Sequence, residues 1–322
     1  INLLRFQEAH HRNGGLVTIY THPNQHPWDS SIVVTDEQNC VIEWNSPEGE
    51  RGWYRNRVNA GLHMISAELF HYLQRKGMLN HPLKLDFDRD ILKPMVKDRC
   101  LFAYDSPEYV KDMGTKDRLP VICADVESGK VSRLNKKNAR PAVFLDRDGV
   151  LNRDMDKAPR AENFELLPGV SEAVRLLNQS DYLSIVVTNQ PMIAKGFVTF
   201  HDVDEVHKRL ETELGNEKAY LDGIYFCPHH PEKGFPGEVA ELKIDCGCRK
   251  PKPGMLLRAK EDFNIDLQSS WMIGDRDSDM QAGKNAGCRT ILVGDTISGS
   301  TVADYRFSSL LEAVRFITGA DK

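Results

Sequence analysis

The chain has 322 residues, which is enough for two domains of ordinary size, each with its own core. Hydrophobic residues make up 40% and charged residues 28%, and the net charge of −5 leaves no basic excess for binding nucleic acid. No apolar run reaches the length of a membrane span, and the first twenty residues lack the order of a secretory signal. We therefore expect a cytoplasmic protein with neither a nucleic-acid nor a membrane partner.

The amino-terminal half, residues 1–127, begins with a predicted helix over 3–11 and later contains an apolar strand with Asn59-Ala-Gly. Farther on comes the segment Asp112-Met-Gly-Thr. Taken singly, these are an ordinary strand and an ordinary turn. In this order they resemble the back half of the sugar-1-phosphate nucleotidyltransferases. The resemblance implies a partial α/β domain in which Asn59 contacts the sugar and Asp112 helps to hold a catalytic magnesium.

Two parts that such a transferase needs are not in the sequence: a Gly-rich loop that cradles nucleotide phosphates, and an upstream Asp that completes the metal site. We expect both to precede Ile1, where the chain opens without an initiator Met, unless they have degenerated. Two hypotheses stay open for this half. Either the whole protein is bifunctional, with nucleotidyl transfer of the GDP-heptose type as its main activity, or the half is an inactive module for sugar-nucleotide binding or homo-oligomerisation.

Residues 128–140 are polar and contain five basic side chains, and we predict a linker here. From residue 141 to 322 short apolar strands alternate with amphipathic helices, which is typical of a parallel sheet wrapped by helices. Ligands of such sheets lie beyond the carboxyl ends of the strands. The predicted strands are 142–145, 183–187, 223–226, 271–273 and 290–293, and the predicted helices are 170–177, 202–214, 255–263, 278–286 and 308–317.

The ends of the first two strands carry groups suited to phosphoryl transfer. Asp146 directly follows the first strand, so it can attack phosphorus and form an aspartyl-phosphate. Asp148, two residues on, can protonate the leaving oxygen and later activate water. Thr188, at the end of the second strand, can hydrogen-bond the transferring phosphoryl oxygens.

Later turns supply the charges. Lys250 precedes a helix and can meet the charge that develops on the phosphoryl group. Asp275 follows another strand, and we predict that Mg²⁺ binds Asp146, Asp275 and the main-chain carbonyl of Asp148, with Asp279 behind them. The predicted substrate-binding side chains in these turns are Asn189, Gln190, Lys195, Arg249 and Arg276.

Each of these residues alone has an ordinary interpretation, because an Asp after a strand is usually a helix cap and a Lys before Pro is usually solvated. Four such motifs in one order favour the catalytic interpretation. Together DxDGV, TNQ, RKPxPG and GDxxxD resemble the haloacid dehalogenase phosphatase superfamily over residues 141–318. The resemblance implies a Rossmann-like parallel sheet, and no segment is long enough for a large cap domain.

A cysteine-rich segment lies between the third strand and Lys250. Of the seven cysteines, an odd number that argues against a disulfide framework, three cluster here as Cys227, Cys246 and Cys248, beside two histidines. Two pairs of donors can close a tetrahedral zinc site, which would be structural because no ligand position stays open. The alternative is three free thiols in a flexible loop. Spacing does not choose between the histidines, but the resemblance below implies His229.

The cysteine-rich segment 227–248, called the zinc loop below, together with FLDRDGVLN and TNQxxIAKG, resembles the heptose bisphosphate and histidinol-phosphate phosphatases, the first more closely. That implies removal of the 7-phosphate from D-glycero-D-manno-heptose 1,7-bisphosphate, a phosphorylated sugar, in the biosynthesis of nucleotide-activated heptose; histidinol phosphate is the alternative substrate. Pro191-Met192 replaces a pair of small residues near the substrate entrance, which leaves the sugar and anomer open.

Overall fold

The computed structural model of the chain describes residues 1–49, 51–79, 84–111, 113, 116, 118–155, 159–294 and 302–320. These residues form two compact units, Ile1–Val131 and Ser132–Lys322. The predicted linker, 128–140, spans the division between the units, and the predicted domain boundaries stay a prediction. No helix among the described residues has both the length and the apolar character to cross a membrane.

The first unit contains a five-stranded mixed sheet in the order β3-β2-β4-β1-β5, in which β1 and β5 are parallel and the other pairs antiparallel. Its first helix begins after Asn2, whose side chain accepts a hydrogen bond from a free helical N–H, and ends at Gly14 in the left-handed conformation. The elements are α1 (Leu3–Asn13), β1 (Val17–His22), β2 (Ile32–Thr35), β3 (Val41–Asn45), β4 (Val58–Ile65), α2 (Glu68–Arg75), a π-helix (Phe87–Leu92), α3 (Lys93–Met95), β5 (Leu101–Asp105) and α4 (Arg118–Glu127), followed by α5 (Lys130–Arg133) at the division.

The second unit contains a six-stranded sheet in the order β11-β10-β9-β6-β7-β8, and all of its strand pairs are parallel. This confirms the predicted α/β fold class. The elements are β6 (Ala142–Leu145), α6 (Val170–Gln179), β7 (Leu183–Asn189), α7 (Phe200–Asn216), β8 (Gly223–Cys227), α8 (Gly254–Phe263), β9 (Trp271–Gly274), α9 (Asp277–Ala286), β10 (Arg289–Val293), β11 (Tyr305–Phe307) and α10 (Leu310–Thr318).

The central strand β6 is buried on both faces, because side chains of a strand alternate between its two sides. Val143 and Leu145 pack in a core with α6, α7 and α10. Ala142 and Phe144 pack in a second core with α8 and α9. Helices therefore cover both faces of the sheet, as the continuous apolar run of β6 predicts.

Strand order places the site. From β6 the chain moves outward through β7 and β8, then returns to the other side of β6 with β9. The carboxyl ends of β6, β7 and β9 consequently meet where the strand order reverses, which is the usual position of a ligand in an open parallel sheet.

The short edge strand β11 was missed by the sequence-based prediction. Two of its three side chains, Tyr305 and Arg306, are exposed, so the sequence shows no apolar run there. The strand is held by its parallel pairing with β10, which involves residues about fourteen positions earlier in the chain.

Candidate active site

The buried carboxylate of Asp146 lies at the carboxyl end of β6. Its backbone N–H donates to the Ile273 carbonyl at 2.9 Å, which ties the turn to the end of the neighbouring strand β9. The N–H of Arg147 donates to Asp146 Oδ1 at 2.7 Å and so fixes the carboxylate. A side chain that is only 7% exposed can still reach a ligand, because it lines the cleft at this sheet edge.

The turn after β6 requires a glycine. Gly149 has a φ of 84°, in the left-handed region, and a Cβ there would collide with the Asp275 carboxylate. The absence of that Cβ lets the turns after β6 and β9 approach each other, and it brings Asp275 close to Asp146.

Lys250 supplies the positive charge within this group of carboxylates. Its ammonium is buried, lies 2.8 Å from Asp146 Oδ1 and 2.6 Å from Asp279 Oδ1, and donates a hydrogen bond to the Val187 carbonyl at 2.8 Å. Burial alone would lower the pKa of Lys250, but the two carboxylates raise it above its usual value. The lysine is therefore a fixed cation at the carboxyl end of β7.

Burial raises the pKa values of the two carboxyl groups Asp146 and Asp275, whereas an ion pair at the surface would lower them. It raises the pKa of Asp146 to about 6, although the neighbouring Lys250 ammonium lowers it. Burial, followed by the negative charge of Asp146, raises the pKa of Asp275 to about 6. Both groups favour a further positive charge nearby.

Asp148 has a different environment, rich in hydrogen-bond donors. The guanidinium of Arg147, which is fully buried, donates to both of its oxygens, and the Asn152 amide donates to Oδ1 at 3.0 Å. Gln190 Nε2 donates to Oδ2 at 2.8 Å. Burial would raise the pKa of Asp148, but Arg147 and these amides together lower it below its usual value. Within the DxD motif, the pKa of Asp146 is therefore raised and the pKa of Asp148 is lowered.

The carboxylates also form a candidate site for a divalent ion. Asp146, Asp275 and Asp279 each offer an oxygen, and the three atoms lie within 4.8 Å of one another. Asp275 Oδ1 is buried without a hydrogen-bond partner among the described residues, so a cation would satisfy it. Asp279 already faces Lys250 through one oxygen and accepts the Arg276 N–H at 3.1 Å through the other. These residues fit a hard ion such as Mg²⁺.

Seven of the predicted phosphatase-site residues line one cleft at the end of the sheet. They are Asp146, Asp148, Thr188, Asn189, Gln190, Lys250 and Arg276, and Asp279, predicted to lie behind the metal ligands, lines the same cleft. Pro191 and Met192, the pair that replaces two small residues, also line it, together with Asp154, Met155 and Pro159, which sequence reasoning did not single out. Asp154 lies 2.7 Å from the Arg276 guanidinium, across the cleft.

Two predicted substrate-binding cations lie outside the described lining of this cleft, beside the zinc loop. Arg249 donates to the His229 carbonyl at 3.3 Å, and the ammonium of Lys195 lies 4.8 Å from the ring centre of Phe235. Asn189, although in the cleft, uses its amide on the backbone of Lys250.

The four predicted zinc ligands converge. Five separations among the sulfurs of Cys227, Cys246 and Cys248 and the Nδ1 of His229 lie between 3.2 and 3.6 Å. Tetrahedral zinc with typical bond lengths needs ligand separations of about 3.5–3.8 Å, so the cluster fits this ion after a small expansion. His230 instead packs edge-on against Phe235, outside the cluster.

The two predicted sites of the first unit have separate outcomes. Asn59 lies in β4 and its amide donates to Asp88 Oδ2 at 2.8 Å. Asp112 lies outside the described residues, so the predicted pair stays a prediction.

The carboxy-terminal part of the chain is similar to known proteins. The sequence profile of the HAD-hydrolase-like family matches residues 247–308, which include Lys250, Asp275 and Asp279. The chain is 41% identical over 182 residues to the D-glycero-beta-D-manno-heptose-1,7-bisphosphate 7-phosphatase of Yersinia pestis, a match that covers 55% of this chain and 95% of that protein. Through its carboxy-terminal part, this chain belongs to the haloacid dehalogenase-like phosphatases. It is accordingly a phosphoric monoester hydrolase.

Other relatives of this phosphatase differ in the anomer they are named for. The D-glycero-alpha-D-manno-heptose-1,7-bisphosphate 7-phosphatase of Burkholderia mallei is 39% identical over 181 residues, covering 55% of this chain and 94% of that protein. The crystal structure of the D,D-heptose 1,7-bisphosphate phosphatase from B. bronchiseptica, complexed with magnesium and phosphate, is 28% identical, with a TM-score of 0.50 over 56% of this chain and 99% of that one.

Proposed function

We propose that the carboxy-terminal unit removes the 7-phosphate of D-glycero-D-manno-heptose 1,7-bisphosphate through an aspartyl-phosphate on Asp146. The observation that supports this proposal is the buried pair of Asp146 and Lys250 beside Asp148. The pair lies where the strand order of the parallel sheet reverses. The sugar is proposed from the relatives. They are named for this substrate, and the match covers nearly their whole length.

In the first step an Asp146 oxygen attacks the 7-phosphorus. A bond forms between that oxygen and phosphorus, the bond from phosphorus to the sugar oxygen breaks, and Asp148 transfers its proton to the leaving oxygen. Lys250 and the Thr188 hydroxyl stabilise the charge on the non-bridging phosphoryl oxygens. Bound Mg²⁺, held by Asp146, Asp275 and the Asp148 carbonyl, would offset the repulsion between the carboxylates and the phosphate.

In the second step the Asp148 carboxylate accepts a proton from water, and the water oxygen attacks the same phosphorus. The bond between phosphorus and Asp146 breaks, which releases inorganic phosphate and restores both side chains. The donors around Asp148 favour its carboxylate form, which suits the base role of the second step, whereas the first step uses the less favoured protonated form. Arg276, Arg249 and Lys195 are the cations that we propose for the rest of the anionic substrate.

We propose that the four-ligand cluster of the zinc loop holds a structural Zn²⁺. Cys248 precedes Arg249 and Lys250 directly, and Cys227 ends strand β8. An ion at this position would fix both the substrate-facing turn and the start of α8. With four protein ligands it would have no position open for water.

The test is a panel of phosphate esters. With Mg²⁺ we expect the protein to release phosphate from heptose 1,7-bisphosphate much faster than from histidinol phosphate. Separate assays with the alpha and beta anomers then show which anomer this chain prefers, since its relatives are named for one or the other. Asp146→Asn should abolish release. A clear preference for histidinol phosphate would refute the proposed substrate, and undiminished release by the Asn variant would refute the mechanism.

A second candidate function belongs to the first unit, as part of a sugar-1-phosphate nucleotidyltransferase. The observation that favours it is the half-buried Asn59 of β4, which donates to Asp88 within the π-helix Phe87–Leu92, because π-helical turns are frequent at functional sites. Such a transferase would consume the sugar 1-phosphate that the phosphatase releases. Calorimetric titration with GDP and GDP-sugar tests this role, and light scattering tests homo-oligomerisation; no binding together with a monomer would exclude both. The cytoplasmic location stays a prediction.

A further inference from the structure

We propose that the adjacent amides Asn189 and Gln190 are positioning residues, each of which holds one member of the catalytic machinery in place. Gln190 orients the acid/base Asp148, and Asn189 orients the backbone of Lys250. This inference rests on the roles proposed above for those two residues. It assigns to the pair a different task from the substrate contacts that the sequence suggests.

Gln190 is buried, and both N–H bonds of its amide are used. Nε2 donates to Asp148 Oδ2 at 2.8 Å and to Thr188 Oγ1 at 3.0 Å, while the backbone N–H donates to the Cys227 carbonyl at 2.8 Å. The reverse orientation of the amide would place its oxygen against a carboxylate, so the donor must face Asp148. Because Thr188 accepts this bond, its own O–H is left to donate to a phosphoryl oxygen.

The two oxygens of Asp148 are held from different sides. Asn152 and Arg147 lie on its own turn, whereas Gln190 reaches it from β7, the strand that also carries Thr188. Among the hydrogen bonds that the described residues make to the Asp148 carboxylate, the Gln190 bond is therefore the one that fixes the acid/base relative to the group that holds the phosphate. Loss of this bond would let Asp148 pair with its own turn alone.

Asn189 makes a reciprocal pair of hydrogen bonds with one residue. Its Nδ2 donates to the Lys250 carbonyl at 3.1 Å, and its Oδ1 accepts the Lys250 N–H at 3.0 Å. These contacts join β7 to a residue sixty-one positions later and set the origin of a long flexible side chain. The ammonium can then meet Asp146, Asp279 and the Val187 carbonyl together.

The two amides should differ in their kinetic effects. The charge of Lys250 acts on the phosphoryl group, which is the same in every phosphate monoester. The proton of Asp148 is needed by an alkyl leaving oxygen but hardly by an aryl one, which leaves as a stabilised anion. The Gln190 contact should therefore matter in proportion to the demand of the leaving group, and the Asn189 contact should not.

The experiment compares kcat/KM for an alkyl phosphate that the protein hydrolyses with kcat/KM for p-nitrophenyl phosphate. The parameter kcat/KM is chosen because it includes only the steps up to the departure of the leaving group. For Gln190→Leu we expect a loss of about tenfold to a hundredfold on the alkyl ester and about threefold or less on the aryl ester. For Asn189→Leu we expect a similar loss, about tenfold or more, on both esters.

Asn178 offers a matched control. Its amide also makes bonds in both directions, donating to the Tyr220 carbonyl at 2.9 Å and accepting the Tyr220 N–H at 2.9 Å, at the other end of β7. Asn178→Leu should lower thermal stability without changing either kcat/KM. If the leucine variants of the site fail to fold, Gln190→Met and Asn189→Asp retain the size of the side chain and remove the donated bonds.

Equal losses on the two esters for the Gln190 variants would overturn its assignment, as would an effect confined to KM. A loss for the Asn189 variants that depends on the leaving group would overturn the other half. Failure of the proposed sugar specificity is a separate outcome, because the comparison needs only one alkyl phosphate that is turned over. If heptose bisphosphate is not hydrolysed but another alkyl ester is, the positioning roles are tested with that ester.

Discussion

Replacement of Lys250 by methionine should destabilise the protein in a manner that depends strongly on pH. The substitution keeps the bulk of the side chain but removes a buried ammonium that lies within 2.8 Å of Asp146, Asp279 and the Val187 carbonyl. Removing one partner of a buried ion pair typically costs about 3–5 kcal/mol, since the other charge is left uncompensated. We expect a loss of that size at pH 8.

The pH dependence follows from Asp146. Burial raises the folded-state pKa of Asp146 to about 6, above its usual value, so its contribution to stability is complete at low pH and is lost as the pH rises through about 6. Without Lys250 that pKa should rise further. The destabilisation should then be smaller at pH 5 than at pH 8, by about 1.4 kcal/mol for each unit of additional pKa increase.

Urea unfolding of the full chain, followed by circular dichroism with EDTA at both pH values, measures this effect. Lys243→Met is the control, because Lys243 is also buried and lies 3.4 Å from Glu238, away from the catalytic carboxylates. Its effect should be similar at the two pH values, since Phe235 and Gly234 N–H groups and the lysine lower the pKa of Glu238 below its usual value. A Lys250→Met variant that loses less than about 1 kcal/mol, equally at pH 5 and pH 8, would refute the electrostatic role given to this lysine.

Three further predictions concern the metal sites and the cleft. Mg²⁺ affinity, measured by calorimetry, should fall as the pH drops below about 6, because the raised pKa of Asp275 leaves that carboxyl protonated; affinity that is constant from pH 5 to 8 would contradict this. Cys248→Ser should lower the zinc content from about one ion per chain towards zero, and should lower phosphatase activity through the adjacent Lys250; full zinc retention by mass spectrometry would exclude the four-ligand site. Arg276→Ala should raise KM for the bisphosphate by about tenfold or more, whereas Arg153→Ala, which removes an exposed pair with Glu165, should leave it unchanged.

The second unit was largely predictable because its strands are apolar runs that end in functional residues. Asp146, Thr188 and Asp275 each follow or end a buried strand, and carboxyl ends of parallel strands meet at one edge. The pattern therefore predicted both the sheet and the grouping of these side chains. Edge strand β11 lacked such a run and was missed.

Contacts between distant turns could not be predicted in this way. The amide of Asn189 faces Lys250 and that of Gln190 faces Asp148. Nothing in the sequence of the TNQ motif, residues 188–190, distinguishes these contacts from substrate binding. Asp154, which pairs with Arg276, carries no motif at all. Such pairings depend on how two turns approach each other, and Gly149 marks the approach of the turns after β6 and β9 but not these contacts.

Every role proposed for the cleft depends on the transfer of the 7-phosphate from the heptose to Asp146. The most direct measurement is a rapid quench of the protein with heptose 1,7-bisphosphate and Mg²⁺, followed by borohydride reduction, which converts an aspartyl-phosphate to homoserine, and by mass spectrometry of the peptide. We predict homoserine at position 146 alone, together with heptose 1-phosphate as the product by phosphorus NMR. Phosphate release with no modified Asp146 would exclude this nucleophile, and a product that retains the 7-phosphate would exclude the proposed reaction.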